Sequence, residues 1–367
     1  MPFRLPSDEQ SLMRIILNPL ASRDNYSGRE ALVICRLRAE DAYREIAQWP
    51  EYSVTPLRHL SGLAATLGIG QLYYKDESGR LGQGSFKTLG GAYAATLKLR
   101  TLQPPQSITL CCATDGNHGR SVAFAARRHG CGCVVFMHEH APKDKEVAIA
   151  ELGARVVRLA GTYDDSVRYA REVAITKGWI LVPDTSDNPL DPTTRHVIQG
   201  YGVMVLEVLR QLEDCPKPTH VFVQAGVGGL AAAVAGILAE LYGQTRPRFV
   251  VVEPDSAACL LESALQGKPS KVGGNLRTVM EMLSTGEASQ VAWPILERRA
   301  DVFLTIGDAV AIETTRKIGA QIDVGVSGAA GLAGLVELLR HREAADMVGL
   351  KADSRILVFG TEGKTAS

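Results

Sequence analysis

From about residue 106 the sequence repeats one unit: a short apolar run, a longer amphipathic stretch, then another apolar run. SITLCCA (107–113), CGCVVFMH (131–138), ARVVRLA (154–160) and WILVPD (179–184) read as strands. Between them GNHGRSVAFAARRHG (116–130), APKDKEVAIAELG (141–153) and DDSVRYAREVAITKG (164–178) read as helices, the second stopped by Gly153 and the third capped by acidic residues. Strands separated by helices of this length join through right-handed crossovers, so the pattern implies a parallel sheet with helices on its faces. The polar segment DTSDNPLDPTTR (184–195) interrupts it and reads as a functional loop or a domain crossing. A second series then follows: a helix at 196–212, a strand at 219–224, a turn into a small-residue helix at 225–243 and a strand at 248–254. Near the end, SGAAGLAGLVELLRHR (327–342) reads as a helix and SRILVFG (354–360) as a strand. A length of 367 residues suits about two domains. The expected fold class is two-domain α/β with parallel-rich sheets flanked by helices.

Charge narrows the partners. Lys plus Arg and Asp plus Glu both number 40, so no net field draws nucleic acid or an anionic membrane. No apolar run reaches the roughly 18–20 residues that span a bilayer. The first residues, MPFRLPSDEQSLMRIILNPL, lack the apolar core and cleavage site of a signal peptide, and are expected to be part of the mature chain. Seven cysteines, an odd number, point to reduced thiols and a cytoplasmic location. Cys131 and Cys133 have no second Cys/His pair at zinc spacing. They read, like Cys111 and Cys112, as small apolar core residues, and no metal site is expected.

Three segments carry chemistry. AGVGG (225–229) follows a strand and opens a helix, so successive backbone N–H groups and the helix dipole make an anion site, most often for phosphate. The alternative is a tight turn with glycines for packing. Gly226, Gly228 and Ala231 also satisfy G-x-G-x-x-A, with Glu253 ending the next strand, which makes a nicotinamide-dependent dehydrogenase a competing reading. GQGSFKTLGGAYA (82–94) sets Lys87 between Phe86 and the pair Gly90–Gly91, although each glycine inside a helix costs about 1 kcal/mol. A lysine in an apolar setting, beside glycines that admit a planar ring, suits a Schiff-base amine, because desolvation frees its lone pair. Taken alone, Lys87 also reads as a solvated helix lysine. TDGNHG (114–119) is another strand-to-helix turn, displaying Asp115, Asn117 and His118.

The segments KDESGRLGQGSFKTLGGAYA, ATDGNHGRSVAFAA, GTYDDSV, VQAGVGG, VVEPDSA, VGGN and GTEG resemble the fold type II pyridoxal-phosphate enzymes and, among them, the diaminopropionate ammonia-lyases. The resemblance runs from about Tyr52 to the C-terminus. It implies a tryptophan-synthase-β-like arrangement, with a large domain of residues 1–86 and 197–367, a small domain of 87–196, and the cofactor in the cleft between them. It implies that Lys87 holds pyridoxal 5'-phosphate, with Phe86 beside it and Gly90 and Gly91 packed close to the cofactor. Gly226, Val227, Gly228 and Gly229 would bind the phosphate, Asn117 would lie beside the ring hydroxyl, and Thr361 would face the pyridine nitrogen. Thr114, Asp115, Gly116, Asn117, His118 and Ser327 would bind the substrate. Asp115 and Asp184 would act as bases on opposite faces, so that D- and L-2,3-diaminopropionate both lose ammonia to give pyruvate and two ammonia. A carboxylate can take that role because a partly buried site raises its pKa.

Two departures from the family pattern bear on the substrate. TSDNPLDPTTR replaces an aromatic, glycine-rich loop after Asp184, and Val326 stands where the family tends to have glutamate. A dehydratase or lyase for a serine-, threonine- or hydroxyaspartate-like amino acid is therefore an alternative. So is a non-catalytic relative, which the intact lysine and both aspartates argue against. A homodimer is the expected assembly.

Overall fold

The computed structural model of the chain describes residues 13–102, 107–114 and 116–364. Its strands, in chain order, are β1 (Ile15–Leu17), β2 (Leu57–His59), β3 (Gln71–Asp76), β4 (Thr109–Ala113), β5 (Gly132–His138), β6 (Arg155–Leu159), β7 (Ile180–Leu181), β8 (His220–Gln224), β9 (Arg248–Pro254), β10 (Val302–Ile306) and β11 (Arg355–Gly360). They form two sheets. One has the order β6-β5-β4-β7 and is parallel throughout. The other has the order β1-β10-β9-β8-β11-β3-β2, with a parallel centre and antiparallel edges at β1 and β2. This is the α/β class expected, with two parallel-rich sheets.

The central strands read as unbroken apolar runs because helices cover both faces. β8 and β10 are buried at every position. The largest hydrophobic cluster ties together the helices Lys87–Arg100, Asn117–His129, Pro192–Gln211 and Gly229–Tyr242. A second lies against the helices Asp308–Ile318 and Val326–Arg340, and a third against the helix Tyr163–Lys177.

Several boundaries differ from the sequence reading, each for a local reason. The strand expected at 179–184 pairs only over Ile180–Leu181, because just Leu110 and Cys111 of β4 face it in register. The helix expected from Asp164 starts at Tyr163 and is capped by Thr162 rather than by an acidic residue. Thr162 accepts from the Asp165 N–H while the Asp165 carboxylate accepts from the Thr162 N–H, a reciprocal capping box. The loop expected to run to Arg195 ends earlier. Asp191 accepts from the Thr194 N–H at 2.7 Å, and Pro192, whose ring presets a helical φ, opens a helix that runs to Gln211. The helix expected at 327–342 breaks at His341, and a second short helix, Arg342–Val348, follows.

No helix among the described residues is long and apolar enough to cross a membrane. No group of three or more His, Cys, Asp or Glu among them is gathered as a metal site. The cysteines are free thiols.

Candidate active site

The segments that follow the carboxyl ends of β4, β7, β8 and β11 converge on one pocket. It is lined by Thr114, Gly116, Asn117 and His118 after β4, Asp184 after β7, Ala225–Gly229 after β8, and Thr361 and Glu362 after β11. The crevice outside the carboxyl ends of parallel strands is where open α/β sheets bind ligands. Phe86, Lys87, Tyr163, Tyr201, Met282, Thr285 and Ser327 complete much of the wall. Asp115 lies outside the described residues.

Lys87 is the first residue of its helix, and the Phe86 N–H before it donates to Thr361 O at 3.0 Å, tying the lysine to the C-terminal turn. Phe86 and Tyr201 stack obliquely, their ring centroids 4.8 Å apart. The lysine is not in a purely apolar slot, as its flanking residues suggested. Its Nζ donates to Asp184 Oδ2 at 2.7 Å, and Tyr163 OH approaches Asp184 Oδ1 at 3.4 Å. Burial pushes the Asp184 carboxyl upward, but the Lys87 ammonium, His118 and the hydrogen bond from Lys87 outweigh it and hold it well below the carboxylate range.

Gly90 and Gly91 serve close helix packing. A Cβ on Gly90 would lie 2.4 Å from the Tyr201 ring and 2.6 Å from Val197 O, and one on Gly91 would lie 1.9 Å from Ser121 Oγ. Gly200 answers from the facing helix, where its Cβ would meet Leu89 O at 2.3 Å. Close helix crossing therefore offsets the propensity cost, and it brings Tyr201 against the Lys87 helix.

His118 is buried with Nε2 2.7 Å from Val182 O, an acceptor, which makes Nε2 the protonated nitrogen. Burial lowers its pKa. Ser327 Oγ accepts from the Met282 N–H at 3.2 Å. Gln224 Nε2 lies 2.9 Å from Thr361 Oγ1 and 2.8 Å from Gly328 O. Phe359 O lies 2.9 Å from the same Nε2, so two N–H groups face three acceptors beside the pocket that Thr361 lines.

At the pocket's other end Gly228 is the N-cap of the helix Gly229–Tyr242, at φ +100°, and no side chain caps that terminus. A Cβ on Gly226 would sit 3.1 Å from Thr285 Oγ1, a buried hydroxyl without a hydrogen-bond partner. An uncapped helix start, a turn kept clear of side chains and an orphaned hydroxyl make a ready anion cradle. Glu253 is unavailable to a dinucleotide. It is fully buried and accepts from the N–H groups of Leu260 and Leu261 at 2.7 and 2.8 Å, and burial pushes its carboxyl up to about 8 against those bonds.

Residues 49–361 match the family described as pyridoxal-phosphate dependent enzyme. The chain belongs to that family. The diaminopropionate ammonia-lyase of Salmonella typhimurium is 35% identical over 86% of this chain and 87% of its own length. The Escherichia coli diaminopropionate ammonia-lyase solved with an aminoacrylate–PLP azomethine reaction intermediate superposes with a TM-score of 0.88 at 32% identity, covering 96% of this chain and 94% of that one. The same enzyme with D-serine gives 0.88 at 31% identity, over 96% and 94%. The cofactor is pyridoxal phosphate, and the pocket fits it: one primary amine, one anion cradle and a hydroxyl face the same space. The nicotinamide reading falls with Glu253.

Sequence reasoning missed Tyr163, Tyr201, Thr285 and Glu362. Tyr163 sits inside GTYDDSV and Glu362 inside GTEG, but nothing local shows that either faces the pocket. The glycine turn is packed against its neighbours. Gly228 is buried, and a Cβ there would come 2.8 Å from Leu296. Gly228→Asp is therefore expected to strain the fold as well as block an anion. Gly229 has only ordinary contacts at 3.7 Å, so Gly229→Asp separates the two effects. It should lower cofactor affinity by at least roughly tenfold through charge repulsion at the helix start, with the apoprotein melting point within a few degrees of wild type. Unchanged affinity in an equilibrium titration counts against the cradle.

Proposed function

We propose that this protein removes ammonia from D- and L-2,3-diaminopropionate by α,β-elimination, consuming one water and releasing pyruvate and two ammonia. The observation that carries the reading is the contact of Lys87 with Asp184 at 2.7 Å in a pocket that also holds the glycine cradle. Bound here, the cofactor supplies an electron sink for the carbanion left at Cα. The chain's own residues do the rest. Lys87 holds the cofactor beside Phe86, and Gly226, Val227, Gly228 and Gly229 present N–H groups to its phosphate. Thr361 would face the ring nitrogen with its hydroxyl, and Asn117 would lie beside the ring hydroxyl. A hydroxyl partner leaves that nitrogen largely unprotonated, a weaker sink than a carboxylate partner gives. That suits a carbanion that lasts only until the β-group leaves. Thr114, Asp115, Gly116, Asn117 and His118, with Ser327, grip the substrate. Asp115 and Asp184 take the α-proton from opposite faces, and Tyr163 steadies the Asp184 carboxylate.

We divide the chain into a large domain of residues 1–86 and 197–367 and a small one of 87–196. In support, all four strands of the smaller sheet fall between residues 109 and 181. A homodimer in the cytoplasm is the assembly and location that go with this reading.

The Escherichia coli enzyme solved with D-serine favours a second reading, loss of hydroxide from a serine-like amino acid. Of the two departures, Val326 packs against the hydrophobic cluster and is not among the pocket-lining residues, whereas its neighbour Ser327 is. A panel of D and L β-substituted amino acids decides between them. Diaminopropionate should give the highest kcat/KM and two ammonia per pyruvate, and borohydride should fix the cofactor on the Lys87 peptide. A higher kcat/KM on serine would replace the substrate, and label on another lysine would replace Lys87.

A further inference from the structure

Three segments far apart in sequence meet at the side chain of Asn117. Lys145, in the helix Lys143–Ala150, reaches Asn117 Oδ1 with its Nζ at 3.1 Å. Glu362, two residues after β11, accepts from Asn117 Nδ2 at 2.5 Å. Lys145 Nζ and Glu362 Oε2 are 3.8 Å apart, with side chains only 12% and 9% exposed. Gly116 makes room for this. A Cβ there would lie 2.7 Å from Lys145 Cγ and 2.8 Å from its Cβ, so the lysine stem lies across the turn where any side chain would stand.

We infer that Lys145 and Glu362 are positioning residues that lock the Asn117 amide in one orientation, so that it presents an N–H to the cofactor. An ammonium only donates and a carboxylate only accepts. Turned over, the amide would set N–H against Lys145 and C=O against Glu362. In the orientation held, one N–H goes to Glu362 and the second remains for the pocket. A donor is what an electron-rich ring oxygen requires. The same contacts join the smaller sheet, through Asn117 and Lys145, to the C-terminal turn of the larger one, through Glu362. The glycine of the TDGNHG turn thus has a job distinct from backbone freedom: it admits a lysine 29 positions on.

The inference rests on the reading that Asn117 faces the cofactor, and a double-mutant cycle tells the two apart. Pyridoxal phosphate is titrated into the apoprotein of Lys145→Met, Glu362→Gln, Asn117→Ala and the Lys145→Met/Asn117→Ala double variant. Affinity, the visible absorption band with its pH dependence, and melting temperature are recorded. The expected result is a roughly tenfold loss of affinity and a shifted band in each single variant, no further loss when Lys145→Met is added to Asn117→Ala, and recovery in Lys145→Arg. If Asn117→Ala leaves affinity and band unchanged, the reading of Asn117 falls and the inference with it. If Asn117→Ala has its effect while Lys145→Met and Glu362→Gln are silent, the inference alone falls. It also falls if the losses add, or if only the melting temperature moves, which marks a bridge between sheets without influence on the amide.

Discussion

Replacing Glu207 with alanine should cost about 3–5 kcal/mol of folding stability. Such a loss is a large part of the roughly 5–15 kcal/mol that holds a domain folded. The reason lies in the segment KDESGR. Lys75, Glu77, Arg80 and Glu207 are each at most 1% exposed, and two cations face two carboxylates. Glu207 accepts from Lys75 Nζ at 2.7 Å and from both Arg80 Nη1 and Nη2 at 2.7 Å, while Arg80 Nε donates to Glu77 at 2.7 Å. Tyr52 OH adds a fourth donor to Glu207 at 2.8 Å. Without Glu207, Glu77 alone remains to balance two buried cations. The effect should depend on pH in a definite direction. Burial lowers the Lys75 pKa and Glu207 raises it in opposition, so removing Glu207 leaves the lowering in force. Lys75 then sheds its proton more easily as pH rises, relieving the unpaired charge. The Glu207→Ala penalty should therefore shrink from acid to alkaline pH. Urea midpoints for wild type and variant at several pH values measure it, and a cost below about 1 kcal/mol throughout contradicts the account.

That network also marks the limit of what the chain discloses before it folds. The smaller sheet is evident in the sequence because its strands and helices alternate locally, each signalled within a dozen residues. The glycine turn at 225–229 stands out for the same reason, as a strand running into a small-residue helix. QLYYKD, which becomes β3, ends in two charges, and the carboxylate that pairs with its buried lysine, Glu207, lies 132 positions away. No local pattern contains that partner. Gly90 and Gly91 advertise a close approach without naming what approaches, and the answer is Tyr201 and Ser121. Asp191 and Pro192 do carry a helix-start signal, masked by Pro189 and the polar run around them. Glu362 follows the threonine in GTEG and is indistinguishable there from a surface turn residue. Only the crossing of the C-terminal turn with the helix Asn117–His129 makes it part of the pocket.

The enantiomer test reaches furthest into the chemistry. A planar adduct has two faces, and the α-hydrogens of D and L substrates point to opposite ones. One base cannot serve both without a large rearrangement. The family resemblance assigns Asp115 to the D form and Asp184 to the L form. Burial pushes the Asp184 carboxyl upward, but the Lys87 ammonium beside it outweighs that and holds it ionised. Asparagine preserves shape and removes the accepting charge, and the loss of a general base runs to roughly 10²–10⁴-fold. Asp184→Asn should therefore depress kcat on L-2,3-diaminopropionate by that factor and leave the D form within a few-fold of wild type, with Asp115→Asn the reverse. Because Asp184 also holds the Lys87 ammonium, some loss on the D form is expected through the lysine, smaller than the loss on L. Equal losses on both enantiomers in both variants would remove the two-base scheme and leave Lys87 as the base. Single-turnover rates with each enantiomer separate the proton-transfer step from product release.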